Sequence, residues 1–257
     1  MSIDVTVWNE GRHEREDDSV KRIYPETIGG CIVNGLTPYG FNLTLRTLDD
    51  DQQGLSRELL DRTDVLVWWG HRYHGEVDDT RVEYIQQRVL QGMGLVVLHS
   101  GHHAKIFKRL MGTSCNLAWR EADNGERERL WAIEPSHPIT AGLPPYLELP
   151  QSEMYGEPFD IPEPDELVFI SWYQGGDVLR SGCCFKRGRG RIFYFSPGHE
   201  TFPIYRDPHI QRILANGIGH VNQAHNDGWH LKNWGRPEPM EPGAPRQSKF
   251  KKPRNRN

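Results

Sequence analysis

Long apolar runs are missing from this sequence. No stretch of 18 residues is apolar enough to cross a bilayer, and the amino terminus lacks the basic-then-apolar layout of a secretory signal. A cytoplasmic protein with no membrane partner is therefore expected. Cysteine is scarce: the four thiols, Cys31, Cys115, Cys183 and Cys184, form no CxxC pair. That argues against a disulfide scaffold and suits reduced, buried thiols. If the adjacent Cys183 and Cys184 lie on a strand they alternate faces, so at most one is expected to reach the core. No HExxH, Walker loop or GxGxxG occurs, so neither nucleotide nor flavin is expected. Gly188-Arg189-Gly190 fits a hairpin turn between strands. Positive charge is also missing from the body. The net charge is −4, and residues 236–257 carry seven Lys or Arg against two Glu. Their excess of five positive charges leaves −9 on the residues before them, which argues against a nucleic-acid surface.

What is present is enough for a substantial core: 257 residues, 36% hydrophobic, with eight Trp. Apolar strands are expected over 3–8, 41–48, 64–70 and 94–98. Helices are expected over 25–35, with Pro25 in the first turn, over 56–61 behind a Ser56 cap, and over 78–91 behind Asp78 or Asp79. Another follows 94–103, where Ala104, Phe107, Leu110 and Met111 recur at helical spacing. The alternation βαβαβαβα predicts a parallel sheet with helices on both faces. Eight prolines between 135 and 164 break any long helix, and strands at 127–133, 167–172 and 179–185 read as an added antiparallel region. A core strand at 190–195 and a helix at 207–221 close the body. One domain over 1–235 and a basic, Pro-rich, flexible tail over 236–257 are expected. An acidic body with a basic tail is compatible with a homo-oligomer.

The polar residues gather after the strands. Gly94-Leu95-Val96-Val97-Leu98 breaks into His99-Ser100-Gly101-His102-His103, with Gly101 the expected site of a sharp, left-handed turn. Strand one is followed by Asn9, Glu10, His13 and Glu14, the 64–70 strand by His71, Tyr73 and His74, and the last strand by His199 and Glu200. In an open α/β sheet all of these lie along the carboxyl edge, where ligands bind. Seven of the twelve histidines fall there.

Two chemistries suit such a rim. One is a divalent metal, zinc or a similar N/O-ligated ion, held by a subset of His99, His102, His103, His199 and His13. The other is metal-free acid–base work by histidines and carboxylates. Ser100 as a nucleophile is a weaker third reading, because Leu-His-Ser-Gly-His lacks the first glycine of GxSxG. Gln151-Ser-Glu-Met-Tyr-Gly-Glu157 is either a polar loop that caps its own backbone or a side loop over the rim.

Val-Thr-Val-Trp-Asn-Glu with His13-Glu14, then Leu-Val-Trp-Trp-Gly-His, Val-Val-Leu-His-Ser-Gly-His, Ser-Glu-Met-Tyr and Ser-Pro-Gly-His-Glu, resemble the ThuA-like (trehalose utilisation) family over residues 3 to 221, in the family's order. The resemblance implies a flavodoxin-like open parallel sheet akin to that of class I glutamine amidotransferases. His199-Glu200 then falls where those enzymes carry their His and Glu, and His99 about where their nucleophilic Cys stands. With no thiol at that elbow, glutamine amidotransferase chemistry is not expected. The resemblance also favours the side loop for 151–157, which implies that Glu153 and Tyr155 reach the site. The resemblance also implies carbohydrate catabolism through trehalose-like disaccharides and 3-keto sugars, hence an isomerase, lyase or hydrolase acting on a sugar derivative.

Together these readings name His99, His199, Glu200, Glu153, Glu10 and Tyr155 as catalytic candidates. Trp69, His71, Tyr73, His74 and Ser100 are the candidates for contacting a sugar or keto-sugar, with Trp8, Trp68 and Trp172 as further aromatic faces. The alternative is a non-catalytic sugar-binding or regulatory protein on the same scaffold, with the histidines donating hydrogen bonds to hydroxyls.

Overall fold

Strands that read as unbroken apolar runs must be covered on both faces, and the described residues arrange this with seven α-helices. A computed structural model describes residues 2–222; the basic stretch 236–257 lies outside them. The elements in chain order are β1 (Asp4–Asn9), α1 (His13–Glu16), α2 (Asp18–Ile23), α3 (Ile28–Leu36), β2 (Asn42–Thr47), α4 (Arg57–Arg62), β3 (Val65–Trp69), α5 (Asp79–Gln91), β4 (Gly94–Leu98), α6 (Lys105–Met111), β5 (Ala118–Arg120), β6 (Glu126–Ala132), β7 (Tyr146–Ser152), β8 (Met154–Gly156), β9 (Glu166–Tyr173), β10 (Val178–Arg187), β11 (Gly190–Phe195) and α7 (Pro208–Val221). Nine strands form one sheet in the order β2-β1-β3-β4-β11-β10-β9-β6-β7. The first five pair in parallel, and the rest continue antiparallel. The expected parallel sheet with an antiparallel addition is therefore what the chain builds.

Period-two alternation sorts the strand side chains between two cores. Val5, Val7, Val65, Val67, Trp69, Val96, Leu98, Phe193 and Phe195 pack with α3 and α7. Trp8, Leu66, Trp68, Leu95, Val97, Ile192 and Tyr194 pack with α4, α5 and α6 on the opposite face. Each large aliphatic or aromatic side chain buried in this way contributes roughly 1.5–3 kcal/mol. Cys183 and Cys184 do alternate, one to each core. Both are nonetheless buried, because β10 is covered on both faces and not on one as expected.

Caps fix where the helices begin. Ser56 accepts the Leu59 N–H at 3.2 Å, Asp78 the Thr80 N–H at 2.7 Å, and Asp207 the N–H groups of His209 and Ile210. The helix expected from Pro25 starts later, at Ile28, because the Thr27 hydroxyl takes the Gly30 N–H at 3.0 Å. The polar loop expected after strand one is in part helical, as α1 and α2. β7 and the two-stranded β5–β8 pair were not expected. Pro150 lies within β7, which is the edge of the sheet, where a missing ladder donor is tolerated.

The antiparallel addition is tied to the β5–β8 layer through Glu157. Its carboxylate takes Arg180 Nε at 2.8 Å, the Arg180 N–H at 3.0 Å and the Phe159 N–H at 2.6 Å. Burial acts to raise the Glu157 pKa, but these donors outweigh it and the net shift is downward from 4.5. A carboxylate with a depressed folded-state pKa stabilises the fold above its unfolded value, and the gain is lost as pH falls through the folded one. Glu157→Gln is therefore expected to cost about 1–2 kcal/mol at pH 7 in urea melts, with the gap to wild type closing below about pH 4. A gap undiminished at pH 3 would refute this account.

Candidate functional site

The site is organised by the break after β4. His99 turns the chain with a left-handed φ of 47° and opens a 3₁₀ turn over His99–His103. The left-handed residue is thus His99 and not Gly101. Gly101 is needed for a different reason: a Cβ there would stand 2.8 Å from Val97 Cγ1. The turn aims the His99 ring under Tyr155, stacked at 4.6 Å and 4°. His99 Nδ1–H donates to the Ser196 carbonyl at 2.8 Å, which leaves Nε2 as a lone pair. That lone pair faces Glu153 Oε2 at 3.1 Å, with the Tyr155 hydroxyl 3.3 Å away. Two acceptors so close call for a proton or a cation between them.

Glu153 sits between β7 and β8 and is buried, and its Oε2 has no hydrogen-bond partner. His199 Nε2 approaches the same oxygen at 3.7 Å and Glu200 Oε1 at 3.7 Å. Burial pushes the His199 imidazole down to about 4, so the ring is neutral near pH 7. A second cluster adjoins. His71 Nδ1 and His13 Nδ1 lie 3.0 and 3.2 Å from Glu200 Oε1 and 3.1 Å from each other. Burial opposes charge on His71, yet the bond to Glu200 and the neighbouring carboxylates raise its pKa overall. Burial would also raise Glu200, but His71, His199 and His13 bring it well below the usual carboxylate range. His13 goes down, chiefly through burial. Charge is thus favoured on the His71–Glu200 pair and disfavoured by burial on His13.

A pocket of about 410 Å³ opens over both clusters, within the range of small-molecule sites. Of the residues expected there, His13, His71, His74, Ser100, His102, His103, Glu153, Tyr155, His199 and Glu200 line it. His99 lies one layer below, behind Tyr155. His102 Nδ1–H donates to the Cys115 carbonyl at 2.7 Å, and burial pushes its pKa well down. Burial lowers His74 to about 3, and His103 stacks against it.

Six residues expected at the site stand elsewhere. Glu10 is kept from the pocket: its carboxylate takes the N–H groups of His71, Arg72 and Tyr73 at 2.7–3.2 Å and so holds the loop after β3. Trp69 is 0% exposed and offers no face to a sugar; its indole N–H donates to the Gly198 carbonyl at 3.2 Å. Tyr73 points to the outer side, where its hydroxyl meets Glu16 and its ring meets Arg12. Trp8 and Trp68 stack on each other inside the core, and Trp172 lies on β9 away from this pocket. The aromatic face at the pocket mouth is Trp119 on β5, 65% exposed. Sequence reasoning missed it, together with Glu121, because nothing marked 118–120 as a strand.

The comparisons with known proteins follow this geometry. The model of the ThuA family, described as trehalose utilisation, matches residues 4–221. The chain belongs to the ThuA family. With that membership goes a carbohydrate-related role and a sugar-related small-molecule ligand. A putative ThuA-like protein from Parabacteroides merdae is 15% identical over 87% of this chain and 91% of its own, with a TM-score of 0.58. One from Bacteroides uniformis is 15% identical over 86% and 93%, with a TM-score of 0.59. PurLQS from Thermotoga maritima is 13% identical over 86% and 100%, with a TM-score of 0.52. These likenesses are of fold, ThuA-like and glutamine amidotransferase-like. No curated protein matches by sequence. Among the described residues no helix is long and apolar enough to cross a membrane.

The ThuA-family site also has donors that fit a divalent ion. His99 Nε2, Glu153 and His199 Nε2 lie within 4.8 Å of one another, and the orphaned Glu153 Oε2 is the kind of atom an ion would satisfy. His199 Nδ1 accepts the Thr201 N–H at 3.3 Å and lies 2.6 Å from Thr201 Oγ1, so an ion on Nε2 would require the ring proton to move to Nδ1, where Thr201 Oγ1 can accept it. His102 and His103, also named as ligand candidates, stand outside this set.

Proposed function

We propose that the pocket takes a sugar derivative bearing a carbonyl group and moves a proton on the carbon beside that carbonyl. The observation that carries this reading is the Glu153 carboxylate, buried, with one oxygen unpartnered at the pocket. Only His99 Nε2 at 3.1 Å and His199 Nε2 at 3.7 Å face that oxygen, neither in hydrogen-bond geometry, so it can take a carbon-bound proton when none stands between it and His99. In a 3-keto sugar the proton at C2 is acidic. As its C–H bond breaks, the proton passes to Glu153, and the carbonyl oxygen gains one from His71, whose charge Glu200 sustains. Return of that proton from Glu153 to C3, with the C2 hydroxyl giving its own proton to His71, gives the isomeric 2-keto sugar; expulsion of the C1 substituent, protonated by Glu153 as the C3 hydroxyl returns its proton to His71, gives elimination. Trp119 supplies an apolar face for the ring at the mouth, and Arg72, Glu121 and Asp17 supply partners for hydroxyls. Tyr155 holds the pocket floor over His99 through its stacked ring and its hydroxyl contact with Ser100 at 3.0 Å.

A divalent, zinc-like ion is a second reading of the same corner, favoured by the lone pair of His99 Nε2 aimed at Glu153. His99, Glu153 and His199 would hold it, and when bound it would polarise a substrate oxygen. Protein purified without a His-tag is to be assayed for metal by elemental mass spectrometry and for deuterium uptake at C2 of 3-keto-disaccharides by NMR. Uptake that depends on the protein supports the proposal, and near-stoichiometric metal lost in both His99→Ala and His199→Ala assigns the ion. Sugar binding with no exchange or turnover, with or without added zinc, would overturn the proposal in favour of a non-catalytic binder.

A further inference from the structure

Four metal-type ligands meet far from the pocket, on the α7 face of the sheet. His137 precedes a 3₁₀ turn over Pro138–Thr140, Glu166 opens β9, Cys184 lies on β10 opposite Glu166, and His220 sits in the last turn of α7. The His220 carbonyl accepts Arg191 Nη1 at 3.3 Å from the amino end of β11, which places the group near the opposite edge of the sheet from the rim. One ligand atom from each of the four residues lies within 4.8 Å of the others.

We propose that His137, Glu166, Cys184 and His220 form a second metal site, a closed structural centre for a zinc-like divalent ion. Two imidazole nitrogens, a carboxylate oxygen and a thiolate are the donor set of tetrahedral zinc. Around such an ion neighbouring donors stand about 3.3–3.8 Å apart, so a contraction of about 1 Å closes the cluster. One thiolate and one carboxylate balance the charge of a divalent ion.

The rings show what the ion would relieve. His137 Nε2 and His220 Nε2 both lie 2.9 Å from the same oxygen, Glu166 Oε2. His220 has a side chain only 8% exposed, and its Nε2 reaches the oxygen without hydrogen-bond geometry and has no other partner. Lys186 Nζ, 3.7 Å from Glu166 Oε1, touches only the other carboxylate oxygen. Loading has two local costs. Cys184 must ionise, against burial and the nearby carboxylate that now hold its thiol protonated; the bound cation supplies the opposite field. His137 must move its proton from Nε2 to Nδ1, giving up the Ile139 N–H that Nδ1 accepts at 3.1 Å. In return, an ion there would clamp the end of α7 and the turn at 138–140 to β9 and β10. None of the residues involved touches the rim.

The thiolate separates this site from the pocket, where the two ligand groups contain no cysteine. Full-length His99→Ala protein, stripped with a chelator and titrated with Co²⁺, is expected to gain the near-ultraviolet absorption of a thiolate-bound cobalt ion at one equivalent. Cys184→Ser in that background should abolish the band, and His220→Ala should weaken cobalt binding at least about tenfold. Zinc at a hundredfold excess over its Kd should raise Tm by about 5–10 °C in His99→Ala, and not in the Cys184→Ser double variant. If Cys184→Ser folds poorly, Glu166→Gln, at a half-buried position, is expected to weaken cobalt binding at least about tenfold, and unchanged affinity there would overturn the assignment. No thiolate band at saturating cobalt, or a band that survives Cys184→Ser, would overturn the assignment.

Discussion

Glu153→Gln is expected to lower kcat on a keto-sugar by about 100- to 10,000-fold, the usual contribution of a positioned general base, with KM changed little. The amide keeps the size of the side chain and still fits between β7 and β8. It cannot accept a carbon-bound proton, and its NH₂ group can donate to the His99 lone pair 3.1 Å away. The fold should tolerate the change well, since Glu153 Oε2 makes no hydrogen bond that the amide would lose. Steady-state kinetics on the variant check this, with a urea melt alongside. A variant that keeps more than a tenth of wild-type kcat would remove Glu153 from the chemistry and leave Glu200, whose Oε2 is also unpartnered, as the remaining candidate for the base.

Gly198→Ala is expected to give the largest loss of stability among single substitutions at the rim. The residue has φ 151°, and an added Cβ would stand 2.0 Å from Tyr205 Oη and 3.2 Å from His99 Cβ. Tyr205 is wholly buried against α7 and has little room to retreat. Backbone strain and overpacking together cost on the order of 3 kcal/mol, or about 6–12 °C in Tm for a chain of this size. Because Gly198 also accepts the Trp69 indole N–H, the displacement should carry His199 with it and reduce activity even below the melt. A melting temperature within about 2 °C of wild type would show that the segment after β11 can shift freely.

Much of this was legible in the residues, for physical reasons that differ along the chain. β1, β3, β4 and β11 are apolar on both faces, a pattern that only a doubly covered sheet satisfies, so their carboxyl ends and the histidines after them could be aligned from sequence alone. Glu10 and Trp69 show where that reasoning stopped. Sequence places a residue at a strand end but does not say whether its side chain faces the pocket or turns back onto the backbone. Glu10 turns to three N–H groups of the next loop, and Trp69 turns into the α3–α7 core. Tyr155 and Glu153 were found through motif resemblance and not through periodicity, because the strands that flank them are short and one contains a proline. Trp119 and the cluster at His137, Glu166, Cys184 and His220 gave no local signal. Their members are close only after β9, β10 and α7 have packed, and no spacing along the chain encodes that.

All four cysteines of the chain are interior, and this makes the molecule unusually convenient to label. A maleimide or nitroxide reagent meets no native thiol on the folded surface, so a single cysteine introduced in place of Trp119 would carry the probe alone. Attached at the mouth of the pocket, such a reporter would follow ligand entry in real time without any assay for turnover.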